Sequence, residues 1–157
     1  HVLERAGCEV EPGERAVTVR GPARPKPLNV VTEPFPGFPT DMQAQVMALC
    51  TVAGGTSTIT DSIYLDRFSH VPELMRLGAD VHMQNNFAIE KGVNKLSGAP
   101  VMATDIRASA GLVLAALVAD GETKISRIYH LDRGYEQIER KLVAVGADVL
   151  RVSQRGV

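Results

Sequence analysis

The hydrophobic residues of this chain concentrate in two blocks, and shorter segments of alternating polar and apolar residues lie between and around them. The first block predicts a helix over residues 42–53. The second block, residues 106–119, is apolar nearly all round, which predicts a helix buried on every side. Apolar positions between 135 and 145 have the one-face spacing of a surface helix.

The alternating segments predict strands. These segments are residues 16–20, 56–64, 81–84, 87–90 and 124–129. The predicted helices are more apolar than the predicted strands, so we expect helices in the interior and sheet on the outside. The pattern therefore indicates an α/β protein with an unusual arrangement of layers.

The sequence also repeats itself. Each apolar helix ends near a glycine, a Leu-Asp-Arg triplet follows that glycine at the same distance, and a Gly-x-x-Val step comes later. The glycines are Gly55 and Gly121, the triplets end at Arg67 and Arg133, and the steps begin at Gly78 and Gly146, with a further copy at Gly7. Such self-similarity is typical of stacked copies of one supersecondary unit. We expect units at approximately 1–37, 38–102 and 103–157, with the step glycines in the left-handed conformation that ends a helix.

Size and charge narrow the class of protein. The 157 residues match one ordinary domain, and a net charge of −1 with interspersed acids and bases gives no electrostatic footprint for nucleic acid or membrane. The longest apolar run is too short to span a bilayer. Two cysteines in different settings predict no disulfide framework and fit a reducing, cytoplasmic compartment. Because residues 3–7 resemble the end of a helix, we expect the later part of a longer polypeptide.

The loop 34–39 introduces the first candidate for chemistry. Its three prolines exclude regular structure, so the loop places Asp41 rigidly at the start of the first apolar helix. A carboxylate held in this way can accept a proton from a substrate hydroxyl. The structural alternative is that Thr40 caps the helix in a capping box with Gln43, while the acid favours the helix dipole. A second Thr-Asp step, at Asp105, opens the other apolar helix and leaves the same two alternatives open.

Three arginines are candidates for an anion site. Arg107 lies in the first turn of a nearly apolar helix, where a guanidinium is costly unless it meets a carboxylate or an anionic ligand. Arg67 and Arg133 end predicted strands at equivalent places in two units, so the repeat should bring them to similar positions. Paired arginines at converging strand ends suit phosphate or carboxylate binding. Surface ion pairs are the structural alternative.

The other reactive residue types give weaker signals. His70, His82 and His130 lie too far apart in sequence to form a metal motif, and we expect them to be exposed. Cys50 is predicted to belong to the core. Nothing positions a base near Cys8, so no nucleophilic role is assigned to it. No metal site and no cofactor is predicted.

Four segments of the chain resemble known enzymes. They are Pro-Gly-Phe-Pro-Thr-Asp-Met-Gln-Ala-Gln (36–45), Arg-Phe-Ser-His-Val-Pro-Glu-Leu (67–74), Leu-Ser-Gly-Ala-Pro-Val-Met-Ala-Thr-Asp-Ile-Arg-Ala-Ser (96–109) and Ile-Tyr-His-Leu-Asp-Arg-Gly-Tyr-Glu (128–136). Together they are similar to the UDP-N-acetylglucosamine 1-carboxyvinyltransferases, a family of enolpyruvyl transferases, and the similarity covers nearly the whole chain. It implies the C-terminal portion of such an enzyme, a partial domain with the family fold, which is an inside-out α/β barrel of repeated units with buried helices.

The resemblance also implies an activity. Family members transfer the enolpyruvyl group of phosphoenolpyruvate to the 3-hydroxyl of UDP-N-acetylglucosamine, the first committed step of peptidoglycan synthesis, so a role in cell wall biogenesis, cell shape and cell division is expected. The resemblance implies Asp41 as general base for the sugar hydroxyl and Arg133 as a catalytic residue at phosphoenolpyruvate. It implies Asp105 as a further catalytic residue, which shapes the site together with the neighbouring Arg107. It also implies Arg67 as another active-site arginine and Ile63 as a backbone contact of the UDP-sugar.

The chain also departs from the family pattern. The family's reactive cysteine loop and its phosphoenolpyruvate lysine fall outside the matched portion, and neither Cys8 nor Cys50 lies at that cysteine's position. We therefore expect this chain alone to bind substrate poorly and turn nothing over, and to need the N-terminal part of the same enzyme as its partner. Asp66 stands where the family usually has asparagine, which adds negative charge beside Arg67.

Two other functions stay open at this point. The first is a non-catalytic binding or structural module that reuses the same repeat. The second is the related enolpyruvyl transferase of aromatic amino-acid synthesis, although the Leu-Asp-Arg-Gly-Tyr-Glu and Pro-Thr-Asp-Met-Gln signatures fit that enzyme poorly.

Overall fold

A computed structural model describes residues 1–153, which form a mixed α/β structure of short elements. The helices are α1 Val2–Arg5, α2 Gln43–Cys50, α3 Val71–Arg76, α4 Ile106–Val118, α5 Tyr129–Asp132 and α6 Ile138–Ala144. The strands are β1 Glu9–Pro12, β2 Val17–Arg20, β3 Asn29–Thr32, β4 Thr56–Asp61, β5 Asp80–Gln84, β6 Phe87–Lys91, β7 Leu96–Ser97, β8 Pro100–Met102, β9 Ala119–Asp120 and β10 Lys124–Ser126.

The main sheet has four strands in the order β3-β4-β6-β5. β3 and β4 are parallel, whereas β4, β6 and β5 pair antiparallel. Ser57, Ile59 and Asp61 of β4 are buried and alternate with more exposed neighbours. One face of this sheet therefore packs on the core while the other is more exposed.

α2 and α4 pack against each other in the interior. α2 is buried along most of its length, as its sequence predicts, and its buried residues are Gln43, Ala44, Val46, Met47, Ala48 and Cys50. Gly111 of α4 makes the close approach possible, because a Cβ atom at this position would lie 2.8 Å from the carbonyl oxygen of Ala44. The helix contact thus depends on a glycine in the middle of α4.

α4 has almost the predicted bounds, but the prediction that it is buried on every side is wrong. Leu114, Leu117 and Val118 are 44%, 41% and 51% exposed. The face that meets α2 carries Gly111, Leu112 and Ala115, and within residues 1–153 the C-terminal half of α4 has no comparable cover on its other side. Apolar residues on every face show that a helix is suited to pack on every side, but they do not show how many neighbouring elements it has. Along residues 1–153, none of the helices is both long and apolar enough to traverse a bilayer.

Two predicted strands end earlier than their sequences indicate. β4 stops at Asp61, because the carboxylate of Asp61 accepts the backbone N–H groups of Ile63 and Tyr64 and turns the chain. β10 stops at Ser126, because Arg127 has a φ of 57°, a left-handed conformation that breaks the extended backbone. The segment that was predicted as one strand over 124–129 therefore ends in helix α5.

The glycine steps behave as predicted. Gly7, Gly78 and Gly146 have φ values of 95°, 94° and 99°, the left-handed conformation in which glycine terminates helices. The first two steps lead into antiparallel hairpins, β1–β2 and β5–β6. After Gly146 no strand follows in the portion up to residue 153.

Two titratable side chains, Cys50 and Glu90, are buried in the core. Cys50 is 1% exposed, as predicted, and burial raises the pKa of its thiol to about 12. Glu90 of β6 lies opposite Ser57, is fully buried, and has its pKa raised by burial to about 9. Both cysteines are free thiols.

Candidate active site

Asp41 lies between two arginines at one end of the helix pair. Its carboxylate oxygen Oδ1 accepts hydrogen bonds from Arg107 Nε at 2.5 Å and from Arg67 Nη1 at 3.1 Å. The Asp41 side chain is 62% exposed, so solvent or a ligand can reach it. Arg107 thus has the carboxylate partner that its place at the start of an apolar helix requires.

Arg67 is fixed more tightly than a surface arginine. Its Nη1 also donates to Thr40 Oγ1 at 3.0 Å, and its guanidinium carbon lies 3.8 Å from the centroid of the Tyr64 ring. The Arg67 side chain is only 19% exposed. A cation stacked on an aromatic face and held by two oxygens keeps one orientation, which suits a group that meets an anionic ligand.

The capping box, which was left open as the structural alternative at the start of the first helix, does not form. A short 3₁₀ turn, Thr40–Met42, precedes α2, and no side chain caps either element. The Thr40 hydroxyl donates instead to Asp61 Oδ2 at 2.6 Å. The side-chain amide of Gln43 is buried without a hydrogen-bond partner among residues 1–153. The reason is that the 3₁₀ turn makes Met42, not Thr40, the N-cap residue of α2, so the Thr40 side chain is not at the capping position.

Asp105 has the structural role that was left open for both acids. Its Oδ1 accepts the backbone N–H groups of Arg107 at 2.9 Å and Ala108 at 3.0 Å, which makes it the N-cap of α4. Ser69 Oγ donates to its Oδ2 at 3.1 Å. Burial is the largest single effect on the pKa of Asp105 and raises it, but these hydrogen bonds and the neighbouring His70 together lower it.

The prediction that the histidines are exposed is wrong for His70. This side chain is 2% exposed, and its Nε2 lies 3.2 Å from Met47 Sδ. Burial lowers its pKa to about 4, against an opposing effect of Asp105. His82 is exposed as predicted, and His130 is partly buried. His70 is the N-cap residue of α3, and its ring stacks on that of the buried Phe68 with the ring centroids 6.3 Å apart.

Within residues 1–153, neither Arg133 nor Ile63 is hydrogen-bonded or ion-paired to Asp41, Arg67 or Arg107. Arg133 follows α5 rather than a strand, and Arg67 lies beyond the end of β4, so the expectation that both arginines end strands is wrong. Arg133 is exposed, and within residues 1–153 its side chain makes no hydrogen bond or ion pair. Its neighbour Gly134 abuts Ile106, which places it near the same end of α4 as Arg107.

Ile63 lies in the loop that follows β4, with its side chain 39% exposed. Its backbone N–H is already bonded to Asp61 Oδ1 at 3.0 Å. The backbone carbonyl therefore remains the group of Ile63 that a ligand could approach.

Sequence reasoning missed four residues of the cluster. They are Thr40 as a bridge, Asp61 as a buried acceptor, Tyr64 as the aromatic platform and Ser69 as a partner of Asp105. A signal was present for Asp61, because an aspartate after an alternating strand is typical of a turn in which it accepts nearby amides. The contacts of Thr40 with Asp61 and of Ser69 with Asp105 join segments that are distant in sequence, so no local pattern indicates them. Tyr64 is only three residues from Arg67, but the stacking depends on the turn that follows β4.

The arrangement leaves hydrogen-bond donors for an anion. Arg107 uses only Nε, and its two terminal nitrogens have no partner among residues 1–153. Arg67 uses only Nη1. The hydrogen bond to Asp41 raises the pKa of Arg107, so the guanidinium stays charged. Two cations and one exposed carboxylate can together bind an anionic group and accept a proton beside it.

Comparison with known proteins assigns the chain to a family. Curated relatives are named UDP-N-acetylglucosamine 1-carboxyvinyltransferase. The protein from Geobacter metallireducens is 59% identical over 152 residues, which is 97% of this chain and 36% of the relative. The protein from Gluconobacter oxydans is 59% identical over 151 residues, which is 96% of this chain and 36% of the relative. The chain thus spans about a third of the length of these relatives.

Two solved structures share the fold of this chain. The enolpyruvyl transferase NikO from Streptomyces tendae superimposes with a TM-score of 0.84 and 32% identity, covering 93% of this chain and 34% of that protein. EPSP synthase from Acinetobacter baumannii gives a TM-score of 0.68 over 96% of this chain and 36% of that protein; at 19% identity this likeness concerns the fold alone. The family model described as EPSP synthase (3-phosphoshikimate 1-carboxyvinyltransferase) matches residues 1–142, and the chain belongs to that family.

Proposed function

We propose that this chain is the part of a UDP-N-acetylglucosamine 1-carboxyvinyltransferase that accepts the proton of the sugar hydroxyl. Relatives with this name are 55% to 60% identical to it. The observation that carries the proposal is the exposed Asp41 carboxylate held between Arg67 and Arg107. In this reaction the enolpyruvyl group of phosphoenolpyruvate moves to the 3-hydroxyl of UDP-N-acetylglucosamine and phosphate is released, in the cytoplasm, as the first committed step of peptidoglycan synthesis.

Each residue of the cluster has a proposed role. Asp41 takes the proton as the sugar oxygen becomes a nucleophile, and the arginines neutralise the phosphate and carboxylate of phosphoenolpyruvate. Arg133 is proposed to join them when ligand is bound, since it lies exposed near the same end of α4. Asp105 shapes the site by fixing the first turn of α4 and hence Arg107, and the Ile63 backbone contacts the UDP-sugar.

The contacts of the Asp41 carboxylate support this division of roles. Asp41 uses one oxygen for both arginines. An arriving anion offers the guanidinium groups a second partner, so the carboxylate is then available to the hydroxyl. The charges that hold Asp41 in place before binding are the same charges that bind the anion.

The wider architecture is part of the proposal. We infer that the helices α2 and α4 belong to an inside-out α/β barrel made of repeat units near 1–37, 38–102 and 103–157. The buried helix pair and the one-sided burial of the main sheet support it. The exposed face formed by Leu114, Leu117 and Val118 supports a further packing partner, for which we propose the N-terminal part of the same enzyme.

The test measures phosphate release from UDP-N-acetylglucosamine and phosphoenolpyruvate. The complete gene product that carries this chain should release phosphate, and residues 1–157 alone should release none. Asp41→Asn should lower turnover about 10²-fold to 10⁴-fold while the protein stays folded. Asp120→Asn is the matched control, because Asp120 is also 62% exposed and ion-paired, but with Lys95 outside the cluster.

The outcome also separates the other candidate functions. Turnover that survives Asp41→Asn would indicate that the cluster is structural. The name of the matching family model favours a second acceptor, 3-phosphoshikimate. Enolpyruvyl transfer to 3-phosphoshikimate instead of the nucleotide sugar would replace the proposed function with that one.

A further inference from the structure

Asp61 lies under the loop that carries Asp41. It ends β4, its side chain is fully buried, and its carboxylate accepts four hydrogen bonds. The donors are Thr32 Oγ1 at 2.8 Å, Thr40 Oγ1 at 2.6 Å, Ile63 N at 3.0 Å and Tyr64 N at 2.8 Å. A buried carboxylate is costly unless its oxygens are bonded in this way.

These donors belong to three separate segments. Thr32 ends β3, Thr40 begins the 3₁₀ turn, and Ile63 and Tyr64 lie in the loop after β4. One side chain therefore ties together the two loops that form the candidate active site. Burial raises the pKa of Asp61 more than any other single effect, but the four hydrogen bonds together lower it, so the group is ionised at neutral pH.

Thr40 connects Asp61 to the reactive groups. Its hydroxyl donates to Asp61 and accepts the hydrogen bond from Arg67 Nη1, and the next residue in the chain is Asp41. The same Nη1 reaches Asp41 Oδ1. Tyr64, which stacks on Arg67, is bonded to Asp61 through its backbone. The segments that carry Asp41 and Arg67 are thus both held by hydrogen bonds to the buried carboxylate of Asp61.

We infer that Asp61 is a positioning residue that acts through Thr40: it fixes the distance between Asp41 and Arg67 without touching substrate. The inference rests on the proposed function for the roles of these two groups. It adds a buried acid and a hydroxyl that the sequence analysis did not assign to the site. A displacement of about 1 Å in such a group can cost a hundredfold in rate.

The test breaks the link at Thr40, because loss of the buried Asp61 charge can unfold the protein. In the complete gene product, Thr40→Val should lower kcat about tenfold or more and change the KM for UDP-N-acetylglucosamine less than about threefold. Thr40→Ser keeps the hydroxyl and should restore kcat to within about threefold. Thr51→Val is the control for loss of a threonine hydroxyl outside the site: Thr51 is fully buried whereas Thr40 is partly buried, and the substitution removes its hydrogen bond to Ala48 O at 2.7 Å.

A second measurement does not depend on activity. Hydrogen exchange of the amides of residues 40–42, followed by mass spectrometry, should become at least about fivefold faster in Thr40→Val and stay unchanged in Thr51→Val. Equal kcat losses in both variants, or unchanged exchange in Thr40→Val, would overturn the inference. A gene product without enolpyruvyl transfer would contradict the proposed function, and the exchange result would then decide whether Asp61 positions the Asp41 loop.

Discussion

The two Thr-Asp steps of this chain look alike in sequence and differ in structure. At the first, Asp41 is 62% exposed and bonded to two arginine side chains. At the second, Asp105 is bonded to two backbone amides of the helix that it begins. The first acid is thus available to a ligand, whereas the second holds the backbone.

The backbone decides this difference. Asp105 is fully extended, with φ −155° and ψ 174°, and its carboxylate folds back onto the first turn of α4. Asp41 lies inside a 3₁₀ turn that begins after the extended Pro39, so its carboxylate points away from the helix amides. A dipeptide therefore indicates that an acid lies at a helix start, and the conformation just before it decides what the acid does.

The largest expected effect concerns turnover. Asp41→Asn should lower kcat of the complete gene product about 10²-fold to 10⁴-fold, because an amide cannot accept the hydroxyl proton. Asp105→Asn keeps an oxygen for the cap and should cost much less. Steady-state kinetics of both variants checks this. An equal loss of kcat in the two variants would mean that Asp41 and Asp105 have the same kind of role in the reaction.

The second effect concerns pH and His70, which lies beside Asp105. The pKa of His70 is lowered to about 4 in the folded protein. As pH falls below about 6.5 the unfolded chain takes up the proton first, so stability is lost at about 1.4 kcal/mol for each pH unit down to the folded pKa. Between about pH 7 and pH 5, the free energy of unfolding should fall by about 2 kcal/mol more in the unchanged protein than in the His70→Gln variant. Urea denaturation at both pH values measures this, and equal losses would contradict it.

The third effect concerns the cap. Asp105→Ala should lower the free energy of unfolding by about 1 kcal/mol, because two amides of α4 lose their acceptor. Asp105→Ser should cost less, since serine also caps helices. The lowered pKa of Asp105 allows a second check, because the ionised carboxylate stabilises the folded protein. This stabilisation is present above the normal aspartate pKa and is lost as pH falls through the pKa of Asp105 in the folded protein. Urea titrations near neutral pH and in acid test both statements.

The smallest effect concerns the stability contribution of Asp41. Its two ion pairs are exposed on the carboxylate side, so Asp41→Ala should change the free energy of unfolding by less than about 0.5 kcal/mol. The same substitution should lower turnover about as much as Asp41→Asn. A large loss of stability would remove the contrast with Asp105 and indicate that the cluster is mainly structural.

Much of the fold followed from local pattern. The apolar blocks located α2 and α4, the alternating segments located β2, β4, β5 and β6, and the step glycines have the left-handed conformation that was predicted. These features depend on residues close in sequence, whose spacing and backbone preferences are visible in the chain itself. The same local reasoning found Asp41, Arg67 and Arg107 as candidates.

The sequence by itself therefore determined which elements form and which polar residues stand at their ends. Only the tertiary structure decided what those residues meet: Arg107 reaches Asp41 across 66 positions, Thr40 turns to Asp61 instead of capping its helix, and His70 is buried. The physical reason is that a hydrogen bond or a buried contact requires two groups at a few ångströms. For segments far apart in the chain, packing of the helices and the sheet sets that distance.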